Sequence, residues 1–383
     1  MKEKAGAHQK GRIAILMPGG AAERDEELHI PALYDIVSRL SKSFDVTVFS
    51  LVTFRERKKE AACGEATIKF VDARYDDHWT KKPWKLYRAF ARDHRKKEFS
   101  VIHGMLGLPA ELATVIAGRV FGIKKILSLI GGELASIPDI AYGNMRNQLL
   151  RKITSWTCGQ ADILTLLTHF QESALTHYKI EHDRAYVIPF GVDTKKFFFN
   201  PKIELRPPFQ FIHVASQSPV KDQTTLLNAF ATITQQVEAK LEIIGPDYLN
   251  GANQRTAHRL GIENHTTFLG SVPHIDLPKH YQKAHIMLHT SLHEAQAVVV
   301  AEAAASGVVI AGTNVGLISD LGEEGAVVAP IGDHSYLARE ILRLLTNPDE
   351  YQKKRASAKK WAESHDLAWT VDQFERIYVD SSQ

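Results

Sequence analysis

The sequence predicts an α/β protein built from two doubly wound domains, and three observations carry that reading. The chain has 383 residues, long for one hydrophobic core and suited to two. The same order of buried strand, loop, amphipathic helix and further strand opens twice, at Arg12 and again at Phe209. Between the openings lies Asn200-Pro-Lys-Ile-Glu-Leu-Arg-Pro-Pro208, a proline-rich break of the kind that joins domains. The expected layout is a Rossmann-like domain over residues 1–195, a linker over 196–208 and a second Rossmann-like domain over 209–365.

In the first domain Arg12–Met17 reads as a buried strand stopped by Pro18-Gly19-Gly20. Leu28, Leu33, Ile36, Val37 and Leu40 then recur at helical spacing from about Glu27 to Ser41, and Asp45–Ser50 is the next strand. The glycine loop lacks the third glycine of the dinucleotide fingerprint, which argues against a nicotinamide cofactor. Phe99–His103 reads as a strand, Ala110–Phe121 as a small-residue helix, and Lys125–Ile130 as a strand running into Gly131-Gly132-Glu133. Ala161–Thr168 and His169–Tyr178 are expected as strand and helix, followed by the turn Tyr186-Val-Ile-Pro-Phe-Gly-Val-Asp193.

In the second domain Phe209–Ala215 is the first strand, and the loop Ser216–Asp222 leads to a helix over Thr224–Gln235. Lys240–Pro246, Thr267–Val272 and His285–Ser291 read as further strands, with a helix over Leu277–Ala284. The stretch Ser291–Gly307 places Glu294 in a loop and Glu302 inside a short, alanine-rich buried helix that starts near Val298 and ends at Gly307. A helix start turns unpaired N–H groups and the positive end of its dipole outward, a setting that favours phosphate over Ala297–Val299. Val308–Ala311 is a buried strand, Gly325–Asp333 another strand and loop, and His334–Leu345 a helix.

Composition sets the class. Hydrophobic content of 44% and charged content of 24% are those of a soluble globular protein. No apolar run approaches the ~18 residues that span a bilayer, and the N-terminal residues lack a signal-peptide core, so a cytoplasmic location is expected. Cys63 and Cys158 stand far apart, which fits buried thiols rather than a disulfide framework. The net charge of +3 is unevenly spread, with 29 Lys and Arg against 22 Asp and Glu in residues 1–190. Much of the excess lies in Arg55–Lys59 and from Lys81 to Lys97, interleaved with Trp79, Trp84, Tyr87 and Phe90. Two readings stand for that segment: a solvated helix face, or a face resting on anionic membrane. No nucleic-acid motif accompanies the charge. His285, His289 and His293 alternate along strand and loop without an Asp or Cys to complete a metal site, so no metal is expected.

The loop, helix, strand and glycine loop around Glu294 and Glu302 resemble the Glu-x7-Glu segment of retaining GT-B glycosyltransferases, in particular glycosyltransferase family 4. The turn at Ile188-Pro-Phe-Gly-Val-Asp193 is similar to that family's domain-junction turn. The resemblance implies a GT-B fold, two Rossmann-like domains facing across a cleft, with residues 366–383 forming a helix that packs back on the first domain. It also implies a transfer of a hexosyl group from a nucleotide diphosphate sugar to an acceptor hydroxyl, with no cofactor and no essential metal. Carried over, Glu294 contacts the donor hexose, Glu302 the ribose, and the amides of Ala297, Val298 and Val299 the diphosphate. Lys221 clamps the phosphates, Gly19 and Gly20 form the N-terminal glycine loop, and the backbone near Gly245, Gly270 and Val272 lines the nucleotide.

The chain departs from the family in three places. Ala295-Gln296-Ala297 replaces Gly-Phe-Gly, Ser216 replaces the phosphate-binding Arg, and Ile130 stands where relatives carry a His. Loss of one charged contact removes about 1.5–3 kcal/mol unless another base substitutes. Glu133 is then the nearest ionisable group to orient or deprotonate an acceptor, or else a cap for a following helix. His103 reads as a core or strand-end histidine. The implied partners are a nucleotide-sugar donor and a glycan or lipid-linked acceptor of polysaccharide, lipopolysaccharide or glycolipid synthesis. The alternatives are a non-catalytic nucleotide-sugar-binding scaffold and a nucleotide-sugar epimerase.

Overall fold

The computed structural model describes residues 10–19, 30–52, 60–72, 80–199 and 204–382. Gly20, the expected helix start near Glu27, Arg55–Lys59 and Trp79 lie outside these residues. The first sheet has eight strands: β1 (Arg12–Met17), β2 (Asp45–Val52), β3 (Glu60–Cys63), β4 (Ala66–Asp72), β5 (Val101–Met105), β6 (Lys124–Leu129), β7 (Ile163–Leu166) and β8 (Ala185–Val187). Their spatial order is β3-β4-β2-β1-β5-β6-β7-β8, parallel except where β3 pairs antiparallel with β4. Strands β1, β5 and β7 are apolar and buried, as strands covered on both faces must be.

The sequence reading missed the β3–β4 hairpin. β3 is a four-residue edge strand with Glu60 and Ala62 exposed, so neither length nor alternation announces it, and its charge and brevity suit an edge. The first lobe's helices are α1 (Pro31–Leu40), α2 (Lys81–His94), α3 (Ala110–Phe121), α4 (Gln148–Gln160) and α5 (His169–His177). α2 buries Leu86 and Phe90 and turns Lys81, Trp84, Arg88 and Arg92 outward. The basic stretch is therefore one exposed helix face with a tryptophan 52% exposed within it.

The second sheet runs β11-β10-β9-β12-β13-β14, all parallel, from β9 (Phe209–Val214), β10 (Ala239–Ile244), β11 (Thr266–Gly270), β12 (Ile286–His289), β13 (Val309–Thr313) and β14 (Ala326–Ala329). Its helices are α6 (Gln223–Thr234), α7 (Ala252–Arg259), α8 (Leu277–Tyr281), α9 (Val298–Ala305), α10 (Gly316–Gly325), α11 (His334–Leu345) and α12 (Pro348–Ser364). In both sheets the chain order reverses about an inner strand pair, β1/β5 in the first and β9/β12 in the second. Loops leaving the carboxyl ends of such strands splay apart and open a crevice there.

The last helix, α13 (Leu367–Ser382), returns to the first lobe. Val371, Phe374, Ile377 and Tyr378 join the core made by Ile13, Ile15, Val101 and Ile126. Its entry is set by Gly191, where a Cβ would lie 2.2 Å from the Asp366 carbonyl carbon, and by Thr370, whose hydroxyl accepts from Gly191 N at 2.8 Å and donates to Pro189 O at 2.7 Å. His103 ends in this core, between the Tyr378 hydroxyl at 2.8 Å and the Ser128 hydroxyl at 2.7 Å. Burial lowers its pKa to about 3, so it is a neutral core histidine. Among the described residues no helix is long and apolar enough to cross a membrane.

Candidate active site

The two loops that leave β9 and β12 flank the second sheet's crevice, and each delivers one charged group to it. The β9 loop carries Lys221, held in place because Asp222 takes a left-handed backbone and caps α6. The β12 loop carries Glu294, pinned by Leu292 N to Val220 O at 2.8 Å and by the Thr313 hydroxyl to Ser291 O at 2.6 Å. Lys221 and Glu294 meet as an ion pair on Oε1. The same oxygen accepts from His289 Nε2 at 2.9 Å and Ser291 Oγ at 2.6 Å. Burial alone would raise the Glu294 pKa, but Lys221 and His289 outweigh it and hold the carboxyl far below its usual range. Oε2 makes no hydrogen bond among the described residues, so the carboxylate is oriented through one oxygen and offers the other.

α9 is apolar on nearly all sides and buried, as such a helix must be. It ends in a Schellman motif, with Val308 N bonded to Ala303 O and Gly307 N to Ala304 O around Gly307 at φ 74°. It begins without a side-chain cap: Ala297, at the N-cap, takes φ 67°, a left-handed conformation that costs an L-residue roughly 1–2 kcal/mol. The first amides of α9 thus face outward beside Glu294. Glu302 lies in the next turn and is covered: His274 Nε2 bonds Oε1 at 2.7 Å and the Tyr281 hydroxyl bonds Oε2 at 3.0 Å. Lys196 Nζ reaches His274 Nδ1 at 2.8 Å, and since an ammonium only donates, His274 must carry its proton on Nε2 toward Glu302.

On the first lobe Glu133 is only 3% exposed and folds back on its own loop, accepting from Gly131 N at 2.7 Å. No helix starts behind it, so the capping alternative does not apply; the next regular turn is Pro138–Ile140. Glu111, in the first turn of α3, is fully buried, and neither of its oxygens has a hydrogen-bond partner among the described residues. Burial raises the pKa of both carboxyls, and Glu133 raises that of Glu111 further. Ile130 packs against the first-lobe core. The Tyr142 ring covers Gly132, where a Cβ would come 2.8 Å from Cζ. Its pKa is pushed up to about 12 by burial, then by the charges of Glu294 and Glu133.

The lobes meet along a seam beside these groups. Gln296 makes a two-point amide pair with Phe190, each bond 2.8 Å, and the Thr168 hydroxyl donates to Ala295 O at 2.7 Å. Asp320 of α10 accepts from the first amides of α5, His169 N at 2.7 Å and Phe170 N at 3.0 Å. His293 enters the first lobe, its ring 6.1 Å from that of Tyr142 and 5.7 Å from that of Phe170. Its pKa is lowered, by burial first, against the pull of Glu294 and the Gly131 carbonyl.

The structure thus brings Glu294, Lys221 and the Ala297–Val299 amides to one place, with Glu133 across the seam. Gly245 and Gly270 end neighbouring strands, Gly245 N bonding Gly270 O at 2.8 Å, and a Cβ on Gly245 would come 3.0 Å from Ser216 N. Val272 follows against the second-lobe core, and Ser216 meets Ser218 at 3.5 Å. Gly19 follows β1 in the first lobe. The three alternating histidines go to separate partners: His285 to Gln210 N and Glu204 O, His289 to Glu294, His293 to the seam. Sequence reasoning missed His274, Tyr281, Gln296, Asp320 and Tyr142, because their partners are distant in the chain.

Residues 194–361 match the family described as Glycosyl transferases group 1, and residues 32–196 match Glycosyltransferase Family 4. The chain belongs to glycosyltransferase family 4. Among relatives of this family 4 chain, the N-acetyl-alpha-D-glucosaminyl L-malate synthase of Bacillus anthracis is 24% identical over 302 residues, covering 75% of the chain and 76% of the relative. A GDP-mannose-dependent alpha-(1-6)-phosphatidylinositol monomannoside mannosyltransferase of Mycobacterium tuberculosis is 25% identical over 276 residues, 67% of the chain and 69% of the relative. The fold is similar to that of sucrose-phosphate synthase from Thermosynechococcus elongatus, with TM-score 0.81 at 16% identity over 97% of this chain and 98% of the other. It is also similar to Anabaena HepE in complex with UDP-glucose, with TM-score 0.75 at 18% identity over 96% and 99%.

The depressed Glu294 pKa makes a stability prediction for this family 4 enzyme. A carboxyl whose folded pKa lies below its ordinary 4.5 stabilises the fold above that value and loses the contribution as pH falls through and below it. In chemical denaturation between about pH 3 and pH 7, Glu294→Gln is expected to be less stable than wild type near neutrality, with the gap closing toward pH 3. A gap that does not change with pH would show that Glu294 carries no such charge.

Proposed function

We propose that this family 4 enzyme is a retaining, metal-independent transferase that moves a hexosyl unit from a nucleotide diphosphate sugar to an acceptor hydroxyl in polysaccharide, lipopolysaccharide or glycolipid assembly. The observation that carries the reading is the free Oε2 of Glu294 beside Lys221 and the uncapped start of α9. On donor binding Lys221 exchanges Glu294 for the diphosphate, which the Ala297–Val299 amides also meet. Together they offset the negative charge that develops on the departing diphosphate, the role a metal plays elsewhere. The acceptor oxygen bonds the anomeric carbon on the face the diphosphate leaves, the carbon–oxygen bond to phosphate breaks, and the acceptor proton passes to the departing phosphate oxygen. Glu294 Oε2 holds a hydroxyl of the sugar, Glu302 the ribose, and Glu133 orients the acceptor from the first lobe.

Both Glu302 oxygens already accept a bond, yet a carboxylate has about four acceptor sites, so ribose hydroxyls join His274 and Tyr281 rather than displace them. The exposed basic face of α2 suits an anionic membrane that carries a lipid-linked acceptor.

Two measurements test these statements. With UDP, GDP and ADP and their sugars as probes, Glu302→Ala is expected to weaken the nucleotide diphosphate about tenfold, whereas Glu294→Ala lowers kcat with little change in that affinity; equal, negligible effects would overturn the role assignment. In co-sedimentation with phosphatidylglycerol vesicles the protein is expected to bind at low salt and to lose binding in an Arg88→Ala/Arg92→Ala variant. Equal binding to phosphatidylcholine vesicles would contradict the membrane face.

A further inference from the structure

Two polar groups at the seam remain unused. His293 is 7% exposed, and its Nε2 is buried without a hydrogen-bond partner among the described residues, a state that is costly to leave unsatisfied. The Tyr142 hydroxyl likewise makes no hydrogen bond there, and its ring stays in place because Gly132 has no side chain to displace it. The two come from opposite lobes and face each other across the seam, ring centroids 6.1 Å apart. An alcohol O–H donates and accepts at once, so one hydroxyl reaching the seam beside both rings satisfies the imidazole nitrogen and the phenol together.

Resting on the transferase reading above, we infer that Tyr142 and His293 form a two-lobe clamp for one hydroxyl of the transferred sugar. The clamp is complete only when the lobes are together, so it links recognition of the sugar to closure. His293 is the residue next to Glu294, so both hold the same sugar from one loop, and Tyr142 reads it from the other side. Without a hydroxyl between them, closing the seam buries the imidazole nitrogen unsatisfied. With the sugar present that penalty is removed, and a nucleotide diphosphate lacking its sugar leaves it in place.

The test is calorimetric, comparing UDP with UDP-glucose and GDP with GDP-mannose on the full chain. Tyr142→Phe keeps the ring and His293→Gln keeps a polar side chain, so both are expected to fold. Each is expected to leave the nucleotide diphosphate Kd unchanged and to reduce the additional affinity contributed by the sugar about fivefold. The double variant is expected to lose little more than the larger single one, because both groups hold one hydroxyl. An unchanged sugar contribution in both single variants overturns the clamp while leaving the transferase reading intact. Equal loss for diphosphate and sugar nucleotide also overturns it, as the mark of a merely structural pair. Failure of wild type to bind any sugar nucleotide overturns the transferase reading, and the clamp with it.

Discussion

The second lobe is arranged around one dehydrated charge pair, Lys221 with Glu294. Two ions taken from water cost several kcal/mol each, and their attraction offsets this only when geometry and further hydrogen bonds are good. His289, Ser291 and the loop bonds from Leu292 and Thr313 provide that geometry. The carboxylate is consequently fixed through one oxygen, with the ammonium beside it and the uncapped start of α9 in front. A site so arranged holds positive charge in readiness for an anion, and the ion pair keeps it from being an unpaired cation meanwhile.

The seam gives the pair its second half. Gln296 ties the loop after β12 to Phe190, Asp320 caps a helix of the opposite lobe, and α13 carries the chain back to the first core. The loop bearing His293, Glu294 and Gln296 therefore speaks to both lobes within four residues. Its first residue lies beside the first lobe's aromatic rings, its second holds Lys221, and its fourth pairs with Phe190. The left-handed Ala297 follows directly, so the strain at that residue turns the chain from the seam into α9.

Much of this was legible in the sequence. Parallel buried strands announce themselves as apolar runs, and the family resemblance implied the return of the last helix to the first lobe, which its apolar residues Val371, Phe374, Ile377 and Tyr378 make by joining that core. The Glu294–Glu302 spacing and the position of Lys221 were readable because loops after strands are local features. The pairings were not. Gln296 looks like a substitution of an aromatic residue, and only the three-dimensional fold shows its amide matched to Phe190 more than a hundred residues away. Ala297 conceals a backbone conformation that a glycine would have advertised. The β3–β4 hairpin and α10 lack periodicity long enough to stand out, and Glu111 reads as an ordinary helix-start acid although it is wholly buried.

The account rests on Lys221 leaving Glu294 for a phosphate, and the most direct measurement is the preference for a nucleoside diphosphate over its monophosphate. Titration of wild type and Lys221→Met with UDP and UMP, and with GDP and GMP, separates that one contact from the rest of the nucleotide. The predicted result is a preference for the diphosphate in wild type that falls about tenfold in the variant, with monophosphate affinity unchanged. A preference that survives the substitution intact would contradict the exchange of partners on which the site is built.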